Sequence, residues 1–327
     1  MLRQRLAQAK CAFTTRRVDM SMARGLLTKN VEPKAGDLVL ARVTAVGHHK
    51  KIELVDGRRS ALYVGDEVVV AYGARYAPDQ FEAVVPQSLG ACDLVAGGGL
   101  AGKVLARHAN TKVPTKLNVL GIIADQKGKP LNLAKFALPS RRTTRRPVVI
   151  AVVGTSMNAG KTTTACHLVK GLRRAGLKVG AAKVTGTGSG NDLWALTDAG
   201  ANPVYDFTDA GHASTFQVPV EECVRIALKL IDQVAHAGCE AVVIEVADGL
   251  FQAETSALLT TEAFRSRIDA LVFAAGDAMG AAYGVNGLLD NQLPGVAISG
   301  LVTASPLGLR EAAQATQIPV ATIHELA

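Results

Sequence analysis

The second half of the chain alternates short apolar runs with longer stretches of helical spacing. Residues 148–153, 178–184, 241–246, 270–274 and 295–298 are almost continuously apolar and rich in small and β-branched side chains. That is the pattern of strands buried on both faces. Residues 163–172, 220–237 and 306–316 space their apolar positions as helices packed on a sheet do. Pro219 just ahead of the second helix, and Gly238 just past it, are start and stop signals. Such alternation predicts an α/β fold, a parallel sheet with helices on both faces. Ligands of this architecture sit beyond the carboxyl ends of the strands.

The first half reads differently. Lys51-Ile52-Glu53-Leu54 alternates, Asp56-Gly57 is a hairpin signal, and the runs at 68–72 and 80–85 are strand-like. Four or so short antiparallel strands over residues 36–86 predict a small β-rich barrel, of OB type. Residues 90–138 show no clear pattern. Pro139 and Pro147 bracket a polar, basic segment without apolar periodicity, read as an exposed linker over 139–147. The expected domains are therefore 1–138 and 148–327.

Charge sharpens that division. Residues 1–146 hold 25 Lys+Arg against 11 Asp+Glu, and residues 147–327 hold 11 against 17, a split of +14 and −6 within a total of +8. The two halves present different surfaces and so suit different partners. Five scattered cysteines without a CxxC pair suggest neither a disulfide framework nor a zinc knuckle, and fit a reducing cytoplasm. No apolar run approaches a membrane span. The basic N-terminus lacks the apolar core of a secretory signal. It reads as a basic surface helix in preference to the mitochondrial presequence that its arginines also resemble.

Between the strand at 148–153 and the helix that follows stands Gly154-Thr155-Ser156-Met157-Asn158-Ala159-Gly160-Lys161-Thr162. Strand, glycine-bounded loop, lysine and helix start form a phosphate-gripping device. Backbone N–H groups at a helix N-terminus point at phosphate oxygens, and the helix dipole favours negative charge there. Gly154, Thr155, Asn158, Ala159, Gly160, Lys161, Thr162 and Thr163 are the candidate nucleotide-binding residues. Lys161 is expected to reach the β- and γ-phosphates, and the Thr162 hydroxyl to hold Mg2+. Five residues separate the two glycines, where the usual pattern has four.

Further charged groups close successive strands. Lys183 ends an otherwise apolar strand, so its ammonium has to meet an anion: phosphate, a substrate carboxylate or Asp192. Asp192 follows a glycine-rich tract, placed either to complete a metal shell or to cap the helix beginning at Leu193. Glu245 ends a strand after four apolar residues, where an unpaired carboxylate would be costly. Glu245 and Asp248 are the candidates to orient Mg2+, which takes oxygen ligands and keeps several waters. Gly276-Asp277 follows the next strand.

In this order, the loop with its Gly160-Lys161-Thr162, Lys183, Asp192-Leu193-Trp194-Ala195-Leu196 and Ile244-Glu245 resemble dethiobiotin synthetase and its relatives. The loop itself is similar to that of the cobyric acid and cobyrinate amide synthases of the same P-loop superfamily. The resemblance covers residues 148–327. It implies that Thr162, Asp192 and Glu245 form the Mg2+ shell, and that Lys161 and Lys183 are the catalytic cations beside the transferred phosphoryl group. The chain departs from the family in carrying Ser299 where an asparagine often reads the base, which leaves ATP and GTP both open. No glutaminase domain follows, so ammonia transfer from glutamine is not expected. Simple dethiobiotin synthetases lack the basic β-rich domain.

The weaker signals are two. Gly97-Gly98-Gly99-Leu100-Ala101-Gly102 fits a dinucleotide fingerprint, but Pro114 disfavours a continuous helix after it, and a structural turn is the preferred reading. His48-His49-Lys50-Lys51 and Arg58-Arg59, with Tyr63, Tyr72, Tyr76 and Phe81 as stacking platforms, are candidates to touch nucleic acid; a solvated basic face is the alternative. The expected function is a Mg2+-dependent, ATP-hydrolysing, ligase-like enzyme, with the γ-phosphate activating a carboxylate or carbamate of a small molecule. The alternative is a nucleotide-regulated ATPase or switch whose basic N-terminal half binds nucleic acid. A homodimer is compatible with either, and no membrane partner is expected.

Overall fold

In the computed structural model, which describes residues 2–141, 143–291 and 293–327, the chain divides into two compact units. One comprises Met1–Leu138, Thr187–Asn191 and Phe207–Phe216; the other comprises Pro139–Gly186, Asp192–Asp206 and Gln217–Ala327. Arg142 of the expected linker lies outside the described residues. Among the described residues no helix is long and apolar enough to cross a membrane.

The first unit is built on a closed ring of five strands. Leu38–Ala45 pairs antiparallel with both Glu67–Tyr72 and Thr115–Ala124. Thr115–Ala124 pairs with Ala91–Ala96, and that strand with Leu100–Arg107. A short parallel pairing of Leu100 with Ala71 and Ala101 with Tyr72 closes the ring. Alternate residues of a strand point to opposite faces. Val39, Ala41 and Val43 accordingly share one core cluster with Val68, Val70 and Tyr72, while Leu38 and Leu40 share another with Val69 and Ala71. Leu6, from the short basic helix Leu2–Gln8, is buried in the second cluster.

Two of the weaker sequence signals fall in this unit. Gly97 to Gly99 turn the chain from one strand of the ring directly into the next, Leu100–Arg107, so no helix N-terminus is available to a phosphate. Gly99 has φ +100, and a Cβ on it would stand 2.0 Å from the Cβ of Ala12, which accounts for the glycine. Of the four aromatic platforms, Tyr72 and Phe81 are fully buried, so neither offers a face to a base. His49 is half-buried beside Arg75, its Nε2 lying 3.1 Å from the carbonyl of Val95. Burial and then that guanidinium push its pKa down to about 3, which leaves it neutral.

The second unit is an α/β architecture, a parallel sheet with helices. Its strands are β1 (Val148–Gly154), β2 (Val179–Lys183), β3 (Val204–Asp206), β4 (Ala241–Glu245), β5 (Ala270–Ala274) and β6 (Val296–Ser299). They form one sheet in the order β3-β2-β4-β1-β5-β6, every pairing parallel. The helices are α1 (Lys161–Arg174), α2 (Gly190–Asp198), α3 (Val220–His236), α4 (Ala253–Thr260), α5 (Glu262–Arg265), α6 (Ala278–Asp290), α7 (Pro306–Thr316) and α8 (Ile323–Leu326). Five of the strands and the helices α1, α3 and α7 match the sequence pattern; β3, α4, α5, α6 and α8 are additional. Helix α2 begins at Gly190, ahead of the start expected at Leu193, so Asp192 stands in its first turn and is not its cap. The order of the sheet sets β1, which feeds the glycine loop, directly beside β4, which ends in Glu245.

Candidate functional site

The loop after β1 is shaped by close backbone approaches. Gly160 caps α1 with φ +97, a conformation that favours glycine, and turns the chain into the helix at Lys161. The amide of Leu301 donates to the carbonyl of Ala159 at 3.1 Å, tying the loop to the chain leaving β6. A Cβ on Gly300 would stand 2.5 Å from that same carbonyl. The sequence pattern did not single out Gly300, although a glycine directly after a strand, opposite a phosphate loop, was the available signal.

A cavity of about 400 Å3 opens at this edge of the sheet. Of the expected nucleotide-binding residues, Asn158, Gly160, Lys161, Thr162 and Thr163 line it, together with Lys183, Asp192, Glu245 and Asp248. Gly154, Thr155 and Ala159 do not. The Thr155 amide is already donated to the carbonyl of Ala274 at 3.0 Å, Ala159 is buried, and Gly154 lies beneath the Lys161 side chain. These three shape the loop from behind.

Lys161 is buried, and its Nζ donates to the carbonyl of Ser156 at 2.7 Å. Burial pushes its pKa below the ordinary lysine value, opposed by the charges of Glu245 and Asp248. Thr162 Oγ1 stands 3.2 Å from Asp192 Oδ1 and 3.2 Å from Glu245 Oε1. Lys183 Nζ donates to Asp192 Oδ2 and lies 3.4 Å from Glu245 Oε1. Burial works against charge on Lys183, but Asp192 and Glu245 outweigh it and hold the ammonium protonated well above the usual range. Burial pushes on Asp192 from the other side; Lys183 prevails and keeps that carboxyl below its ordinary value. Glu245 is 2% exposed, and burial wins there, raising its pKa against the pull of Lys183.

One hydroxyl, two carboxylates and two ammonium groups thus converge from α1, α2, β2 and β4. Glu245 Oε2 is buried without a hydrogen-bond partner among the described residues. Among the described residues no group of three or more His, Cys, Asp or Glu could hold a metal by itself. The oxygen-only set of Thr162, Asp192 and Glu245 instead fits an ion that keeps waters and takes phosphate oxygens, as Mg2+ does. Asp277, at the end of the next strand, accepts the Gly280 amide at 2.7 Å and caps α6. Outside the cavity lining, it has no part in this cluster.

No protein-family model and no curated protein matches the chain. Similar solved structures include the 54 kDa signal recognition particle protein of Aeropyrum pernix K1 in complex with GDP. It is 21% identical, with 56% of this chain and 44% of that one covered and a TM-score of 0.40. The signal recognition particle receptor FtsY of Elizabethkingia anophelis in complex with GDP is 18% identical, with 55% and 58% covered and a TM-score of 0.40. The cell division protein FtsY of Thermotoga maritima is 18% identical, with 57% and 65% covered and a TM-score of 0.36. The chain spans between 44% and 65% of the length of these three.

Proposed function

We propose that the chain is a Mg2+-dependent nucleoside triphosphatase of the dethiobiotin-synthetase-like class. In this reading it hydrolyses ATP, with GTP as the competing base, and uses the γ-phosphate to activate a carboxylate or carbamate of a small molecule. The observation that carries the proposal is the shared hydrogen bonding of Thr162, Lys183, Asp192 and Glu245 beside Lys161, at the carboxyl edge of a parallel sheet. The amides entering α1 and the ammonium of Lys161 grip the triphosphate. Thr162, Asp192 and Glu245 would hold the metal, which would supply charge neutralisation. Lys183 is placed to steady the transferred phosphoryl group or the attacking carboxylate. Catalysis then consists of positioning and electrostatics, with no protein nucleophile.

Calorimetric titration with nonhydrolysable ATP and GTP analogues, with and without Mg2+, tests the first step. Binding is expected for at least one, and a Lys161→Ala chain should lose roughly 1.5–3 kcal/mol of it, the size of a charge-assisted hydrogen bond. No affinity for either would sink the proposal. The +14 of residues 1–146 favours a second reading, an ATPase that holds nucleic acid. Under that reading polynucleotide should stimulate hydrolysis and bind with a steep salt dependence. Under the first, turnover should require a small acid or amine and ignore polynucleotide.

A further inference from the structure

The oxygens that the proposed function assigns to a divalent ion are already gathered by a cation of the chain itself. Lys183 Nζ donates to Asp192 Oδ2 and stands 3.4 Å from Glu245 Oε1, while Thr162 Oγ1 is 3.2 Å from the other Asp192 oxygen and 3.2 Å from that same Glu245 oxygen. The Lys183 side chain is only 12% exposed, so water does little to screen it from either carboxylate. The cavity is also close to neutral. Its charged lining consists of Lys161 and Lys183 against Asp192, Glu245 and Asp248. A divalent ion approaching the nucleotide-free protein meets carboxylates whose charge is largely compensated, beside an ammonium it would have to displace or repel.

We infer that Lys183 is a built-in counter-ion that keeps Thr162, Asp192 and Glu245 from taking a divalent cation until a nucleotide is bound. The inference rests on the metal reading given above. A triphosphate brings several negative charges into a near-neutral cavity and offers the Lys183 ammonium oxygens of its own. A lysine at a strand end swings its head group on a flexible four-carbon stem, so the exchange requires no movement of β2. The carboxylates that Lys183 leaves then have the uncompensated charge that a divalent ion requires. One side chain thus holds the site assembled when it is empty and serves the phosphoryl group when it is full. Metal joins with or after nucleotide, and not before.

The test uses Mn2+, counted as free ion by electron paramagnetic resonance. Without nucleotide, the unaltered chain should bind Mn2+ at least ten-fold more weakly than Lys183→Met. Adding a nonhydrolysable ATP analogue should remove most of that difference, and Lys183→Arg should resemble the unaltered chain throughout. Equal nucleotide-free affinity in the unaltered chain and Lys183→Met would overturn the inference and leave the metal reading standing. No Mn2+ binding to either protein, with or without nucleotide, would overturn both. A readout that needs no charge-removing variant is the 15Nζ resonance of Lys183, identified by its loss in Lys183→Arg. Mg2+ alone should leave it in place, and Mg2+ with the nucleotide analogue should shift it. A shift on Mg2+ alone, or none with nucleotide, would count against the role.

Discussion

Replacing Gly154 by alanine separates a phosphate loop built by backbone proximity from an ordinary glycine turn. A Cβ at this position would stand 2.6 Å from the carbonyl oxygen of Ala274 and 2.9 and 3.2 Å from Cγ and Cδ of Lys161. The carbonyl cannot easily retreat, because it belongs to β5, paired with β1 at Gly154 itself, and accepts the Thr155 amide at 3.0 Å. Overpacking of this kind costs roughly 1–3 kcal/mol. At about 2–4 °C per kcal/mol for a unit of this size, the unfolding midpoint should fall by roughly 2–12 °C. The lysine stem must also give way. Losing its contact to a phosphate costs about 1.5–3 kcal/mol, or roughly 10- to 150-fold in affinity. Thermal unfolding and calorimetric titration with a nonhydrolysable triphosphate measure the two effects. Gly276→Ala is the control, since a Cβ there meets nothing within 4 Å. If Gly154→Ala kept both the midpoint and the affinity, or lost no more than the control, the packing argument would be refuted.

Further outcomes follow from the charges and their burial. Lys183 holds the Asp192 carboxyl below its ordinary value, so this pair stabilises the fold above the unfolded value near pH 4 and is lost as pH falls through the folded one. Asp192→Asn should therefore be less stable than the unaltered chain by roughly 1.5–3 kcal/mol at neutral pH, with the gap closing in acid; urea midpoints across pH would show a constant gap if the pairing were unimportant. Glu245 has the opposite sign, and its 13C carboxyl shift should titrate above the usual glutamate range. All five thiols are free, and burial pushes Cys92 up to about 12 and Cys166 and Cys223 to about 11, with Cys11 and Cys239 also raised. Ellman's reagent at pH 8 should consequently react slowly with the native chain and count five thiols after unfolding. Arg16 pairs with the buried Asp209 at 2.6 Å, which Arg17 also approaches at 3.7 Å, and lies 4.1 Å from the centre of the Phe13 ring, so Arg16→Ala should cost about 1.5–3 kcal/mol in calorimetric unfolding.

The sheet of the second unit was legible because strands buried on both faces must be apolar throughout, and such runs are short enough to stand out. The additional elements lack that signal. Helix α6 carries Gly280, Gly284 and Gly287, which weaken helical propensity. It forms because Asp277 caps it and because Gly284 lets it close on β5, where a Cβ would meet the Phe273 ring at 2.2 Å. Strand β3 has three residues, too few to show a period. In the first unit, the barrel is closed by the pairing of Leu100 and Ala101 with Ala71 and Tyr72. Nothing local in either segment records a partner some thirty residues away. The same holds for Thr187–Asn191 and Phe207–Phe216, whose packing with the first unit has no trace in their composition.

At the site, desolvation alone indicated which positions had to find partners, but not which partners they would find. Lys183 could be satisfied by a phosphate, a substrate carboxylate or Asp192; Glu245 by a metal or any cation. Either group unpaired at the end of a buried strand would be costly, and β2 and β4 are neighbours in register, with Lys183 opposite Glu245. Adjacency makes each group available to the other, and Asp192 on α2 supplies the second anion. The cluster can therefore be assembled by the folding of the second unit itself, without waiting for a ligand. A preassembled set of dipoles and charges is what electrostatic catalysis requires, because little reorganisation is left for the moment of reaction. The price is that the free site is self-neutralised, and in such a site only a ligand as highly charged as a triphosphate can redirect the cations.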